Sequence, residues 1–98
     1  MAGQIRMTPD QMRGRANEVR EKGDTFQGVI DGMQGIINTL LTEWEGAASR
    51  SFDQQFTDLK PSFERMRELI ADIATQLDQT ANAVEDLDQQ IANQMGAR

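Results

Sequence analysis

The stretch LLTEWEGAASRSF, residues 40–52, lies at the middle of a 98-residue chain and decides how the rest folds. On both sides of it apolar residues recur at helical spacing. At its centre Trp44-Glu45-Gly46 sets a glycine beside a bulky aromatic, a combination that reverses a chain while anchoring the turn in a core. The reading is an all-α, antiparallel two-helix hairpin filling one domain, residues 1–98. Helices are expected over about residues 9–42 and 48–93, with the turn at about 43–47 and a frayed tail to 98.

Upstream of the turn, the start signal is unusually complete. Thr8 is placed to cap, Pro9 fits the first helical position, Gln11 completes a capping box and Met7 with Met12 is spaced as a hydrophobic staple. From there Met12, Ala16, Val19, Gly23, Phe26, Ile30, Met33, Ile37, Leu40 and Trp44 alternate spacings of four and three, which is a heptad seam. Val29, Ile36 and Leu41 flank the seam and widen it, as in a helix with more than one neighbour. Downstream, the pattern resumes through Phe52, Phe56, Leu59, Phe63, Met66, Ile70, Ile73, Leu77, Thr80, Val84, Leu87 and Ile91, of which only Thr80 is polar. Pro61 falls opposite this seam and predicts a kink or break. Gly96 suits the C-terminal stop.

Glycine conflicts with this reading locally. Gly14, Gly23, Gly28, Gly32 and Gly35 each cost about 0.8–1 kcal/mol relative to alanine inside a helix. Gly23 lies on the seam, where it permits close approach, but Gly14, Gly28 and Gly35 fall on the opposite side. Gly28 and Gly32 have the spacing of a membrane helix contact, yet Asp24 and Asp31 make the segment a poor membrane span. Stable membrane insertion is not expected.

Composition limits the chemistry. Ten Lys and Arg against sixteen Asp and Glu give a net charge of −6, which argues against nucleic acid as a partner. Histidine, cysteine and tyrosine are all absent. That removes the commonest general base, the best soft nucleophile and the phenolic acid, leaving Ser49, Ser51 and Ser62 without an activating partner. Asp86 and Asp88 lack calcium-loop spacing and lie in helical sequence, so no metal or cofactor is expected. The reading is a non-enzymatic protein. The opening MAGQIRMTPDQM has no apolar core of a conventional signal peptide.

Reversing the chain near residue 46 brings Arg13, Arg15, Arg20 and Lys22 towards Glu68, Asp72, Asp78, Glu85, Asp86 and Asp88. Such surface pairs favour the right pairing at about 0–1 kcal/mol each. The same reversal sets the helix start at Pro9 level with Ala83, leaving an overhanging tail. Val84, Leu87, Ile91 and Met95 continue the apolar pattern there, and a lone hairpin exposes much of both seams. A second identical hairpin, antiparallel to the first, would place each tail beside its partner's Trp44 turn and close a four-helix bundle. Phe26, Ile30, Met33, Ile37, Leu40, Phe52, Phe56, Leu59, Phe63, Ile70, Ile73 and Leu77 are the expected core and dimer seam.

Trp44, Gly46, Ala48 and Phe52, spaced W-x-G-x-A-x-x-x-F at the midpoint, resemble the hundred-residue Trp-x-Gly superfamily of Esx-type secreted proteins. The opening GQIRMTPDQMR resembles that of self-associating members from Gram-positive bacteria, and the resemblance covers the whole chain. It implies a four-helix-bundle dimer, exported without a signal peptide by a type VII secretion system driven by a membrane ATPase, with an effector, virulence or adaptor role outside the cell. An intracellular helical adaptor is the alternative. Members often carry a C-terminal Tyr-x-x-x-Asp/Glu export signal, which this chain cannot have. A hydrophobic version resembles Val84, Asp88, Ile91 and Met95; read without the family, these are ordinary seam positions. Trp44 likewise reads either as core filling or as part of a recognition surface.

Overall fold

In the computed structural model, which describes residues 7–44 and 46–96, two helices pack antiparallel. α1 spans Pro9–Glu43 and α2 spans Ala47–Gly96. The opening residues 1–6, Glu45 of the turn and residues 97–98 lie outside the described residues, and the tail expected to fray beyond about residue 93 is helical as far as Gly96. The hairpin is a rod of 79 × 22 × 18 Å. Its length is that of α2 itself, since 50 residues at about 1.5 Å each span roughly 75 Å.

α1 starts through the capping box read from the sequence. The Thr8 hydroxyl accepts from the Gln11 amide at 3.1 Å while the Gln11 side chain accepts from the Thr8 amide at 2.9 Å. Two of the three otherwise orphaned amide donors are thereby satisfied, Pro9 having none to offer. The break expected at Pro61 does not occur, because α2 runs through it uninterrupted. Pro61 is exposed on the far side of α2, where a missing N–H and a displaced carbonyl meet solvent instead of the core.

The alternating seam of α2 divides into two columns with different roles. Phe56 is buried against α1, and Phe63, Ile70, Leu77 and Val84 below it are half-buried. Phe52, Leu59, Met66, Ile73 and Leu87, one column round the helix, remain 42–55% exposed. The second column that does face α1 contains Ala74 and Ala81, both fully buried. On α1 the buried positions are Met12, Ala16, Gly23 and Ile37, with Phe26, Ile30 and Leu40 half-buried and Met33 exposed. Small residues thus draw the backbones together. A Cβ on Gly23 would come within 2.6 Å of an Arg67 guanidinium nitrogen and 3.0 Å of Ile70 Cγ2, so glycine is what the contact requires there. Nearer the turn the spacing is filled by aromatic rings: Phe26 and Phe63 meet edge to face at 6.4 Å, and Phe56 and Phe63 lie 5.6 Å apart.

The two flanks of this seam are chemically opposite. Along one flank Arg13 donates to Asn82 and Glu85, Arg20 to Asp78, and Arg67 to Asp24. The Glu85 hydrogen bonds raise the Arg13 guanidinium pKa above its ordinary value, against a desolvation that lowers it. A raised value means that this contribution is lost only as pH climbs through the far alkaline range, so Arg13 gives the hairpin no switch near neutrality. Arg15 instead pairs within its own helix, with Glu18. Because Arg13 reaches Glu85, the paired region extends past Ala83, and the overhang begins at Asp86. On the opposite flank Val29, Met33 and Ile36 of α1 and Phe52, Leu59, Met66 and Ile73 of α2 are all exposed.

The exposed area fits that asymmetry. The accessible surface is 7586 Å², whereas a compact monomer of this mass exposes about 5,600 Å².

Candidate functional site

The turn is built by backbone and one serine. Trp44 leaves the helix in an extended conformation, φ −133° and ψ 95°, while its N–H still donates to the Leu40 carbonyl at 2.8 Å. The Ser49 hydroxyl, 2% exposed, lies 2.7 Å from the Trp44 carbonyl and 3.0 Å from that of Gly46, donating to this pair from the first turn of α2. Sequence reasoning considered Ser49 only as a nucleophile. A hydroxyl in the first turn of a helix after a chain reversal is the signal that would have assigned it to holding the turn.

Gly46 is half-buried between Trp44 and the start of α2. A Cβ there would sit 3.6 Å from the Trp44 indole nitrogen, an ordinary contact. The indole itself is 48% exposed. It does not complete a closed core within the hairpin, and with Phe52, also 48% exposed, it offers apolar surface at the turn end.

The candidate tail residues lie at the other end of the rod. Val84 is half-buried against α1, whereas Asp88, Ile91 and Met95 are exposed and extend beyond the paired region. Within one chain the tail and Trp44 are therefore far apart, and the structure brings neither Asp88 nor Ile91 to the turn. Between Gln27, Ile30, Gln34, Phe56, Lys60 and Phe63 there is a cleft of about 210 Å³, below the roughly 300 Å³ at which ligand pockets begin. Among the described residues no cluster of three acidic side chains is placed to hold a metal, and no helix is long and apolar enough to cross a membrane.

Known proteins share this architecture end to end. The chain is 43% identical over 95 residues to Protein YukE of Bacillus subtilis (strain 168), covering 97% of this chain and 98% of that one. It is 30% identical over 92 residues to the type VII secretion system extracellular protein A of Staphylococcus aureus (strain USA300), covering 94% and 95%. Among solved structures, EsxA of Geobacillus thermodenitrificans superposes with a TM-score of 0.81 at 41% identity, covering 94% of this chain and 99% of that one. A secreted protein EsxB from Bacillus anthracis str. Sterne superposes at 0.77 with 26% identity, covering 90% and 99%. The sequence profile of proteins of 100 residues with WXG matches residues 4–89, a span that holds α1 and α2 as far as Gln89 and has Trp44 and Gly46 at its centre, and the chain belongs to this WXG100 family.

Proposed function

We propose that this chain is a secreted substrate of a type VII secretion system, exported as a folded homodimer and acting outside the cell as an effector or adaptor. The observation that carries the dimer is the two-sided hairpin: one flank is closed by ion pairs and the other is a continuous exposed apolar strip. The excess of accessible surface over a compact monomer is about 2,000 Å² per chain, so covering it on two chains buries roughly 4,000 Å² in total, in the range of obligate homodimer interfaces. A second copy laid antiparallel covers the strip on both chains. Export is the reading favoured by the relatives, one of which is named an extracellular protein of that system, and it is preferred to an intracellular adaptor. The family also makes this a non-enzymatic protein.

In the antiparallel dimer the tail of one chain reaches the turn of the other. Trp44 and Gly46 then combine with Val84, Asp88, Ile91 and Met95 of the second copy into one surface, which the membrane ATPase of the secretion system reads. The exposure of the indole and of Asp88 supports this assignment over simple core filling. The test is detection of the intact protein in culture supernatant of the wild-type strain and of one lacking the secretion ATPase. The protein is expected outside only in the former; equal amounts in both would overturn the proposal.

A further inference from the structure

We propose that the cleft lined by Asp31, Gln34, Phe56, Lys60, Phe63 and Glu64 is a docking site for an arginine side chain presented by a basic partner protein. This interaction surface is additional to the export reading and does not rest on the dimer.

The cleft is a gap in the ion-pair flank. Asp24 and Arg67 pair across the helices at 3.1 Å. One heptad nearer the turn the corresponding positions are Asp31 and Lys60, which therefore lie on the same flank. They do not repeat the pair, and among the described residues neither of them, nor Glu64, belongs to an ion pair. The seam beneath explains the difference. Gly23 leaves room for Arg67 to lie across α1 beside Ile70, whereas one heptad on the seam holds the bulkier Ile30 and Phe63, with Phe63 packed 5.6 Å from Phe56. Lys60 turns instead to the Phe56 ring, 5.8 Å from its centroid, and Asp31 accepts from Gln27 at 3.0 Å.

The lining matches a guanidinium. Two carboxylates outnumber one cation there, in a chain of net charge −6. The Phe56 ring already holds a cation, and a planar guanidinium stacks on such a face while its N–H donors reach carboxylates at its edge. Gln34 Oε1 is buried with no donor, an unfavourable state that an arginine N–H entering the cleft relieves. At about 210 Å³ the space is small for a free ligand but admits one side chain, which points to an arginine carried on a protein. Lying on the flank opposite the apolar strip, the cleft stays open when that strip is covered.

Titrating the isotope-labelled full chain with a blocked Gly-Gly-Arg-Gly-Gly peptide, followed by NMR, tests the site. Saturable shifts centred on Gln27, Asp31, Gln34, Lys60 and Glu64 are expected, with a millimolar dissociation constant. Replacing arginine by citrulline, which keeps the shape and removes the charge, is expected to weaken binding at least about five-fold. Asp31→Asn should weaken it by about three-fold or more, whereas Asp86→Asn, the same charge change on the tail, should leave it unaltered. Lys60→Gln should tighten binding and Lys22→Gln should not. All four positions are exposed, and unchanged amide spectra away from each substitution verify the fold. Equal binding of the citrulline peptide, equal losses in Asp31→Asn and Asp86→Asn, or tighter binding of a Gly-Gly-Glu-Gly-Gly peptide would overturn the proposal.

Discussion

Trp44 keeps nearly half its surface exposed, so its removal should affect recognition more than folding. Trp44→Ala is expected to lower the stability of the hairpin by well under the roughly 3–5 kcal/mol of a buried tryptophan, while abolishing secretion; thermal melting and supernatant blots measure the two effects separately. Gly46→Ala should also fold, given the 3.6 Å spacing from an added Cβ to the indole. Ser49→Ala is different, because it removes the hydroxyl buried against two turn carbonyls. A loss of about 1–2 kcal/mol is expected in urea unfolding. Glycines divide in the same way. Nothing lies within 4 Å of a Cβ added at Gly14, Gly28 or Gly35, so each change to alanine should stabilise by about 0.5–1 kcal/mol. Gly23→Ala should gain nothing, since its helix-propensity benefit is offset by displacement of Arg67 and Ile70. Nothing in the structure explains why glycine stands at the three open positions.

The helices themselves show what periodicity conveys and what it omits. The α1 start was legible residue by residue, because a capping box is a local arrangement that needs no tertiary partner. The heptad seam of α2 was legible as a seam, but alternating spacings of four and three do not reveal that Phe56 and Phe63 turn to α1 while Phe52 and Leu59 turn away. Ala74 and Ala81 escaped notice for a related reason: alanine is equally at home on exposed helix surface, and only the closeness of α1 makes it core. The turn site was legible as Trp44 and Gly46, whereas Ser49 was not, since its partners are backbone carbonyls that no side-chain pattern records. Pro61 was overread. A proline inside a long helix removes one hydrogen bond without ending the element when its ring faces water. Pro61→Ala is therefore expected to stabilise α2 by roughly 1–3 kcal/mol, seen as a higher urea midpoint with an unchanged slope.

At the scale of the whole molecule, tail and turn are separable tests of one surface. Asp88→Ala lies beyond the last inter-helix ion pair, at Arg13 and Glu85, so it should leave melting unchanged while blocking export. Deleting the chain after Glu85 keeps that pair within the hairpin but removes the tail that meets the partner's turn, so it should block export while weakening the dimer, whereas deletion after Ala83 also costs the pair. Mixed dimers give the decisive comparison: pairing a Trp44→Ala chain with an Asp88→Ala chain leaves one composite surface intact, and partial export is expected in a supernatant assay. Full export of both single-mutant homodimers would rule the composite surface out. The slenderness of the hairpin also bears on how any of its assemblies will behave in solution. Its radius of gyration is 22.1 Å, against about 13 Å for a compact chain of this length. Drag on a rod of these proportions, 79 × 22 × 18 Å, exceeds that on a sphere of equal mass, so a single hairpin will leave a sizing column ahead of compact proteins of its own weight. Elution volume alone will overstate the mass of every species this chain forms.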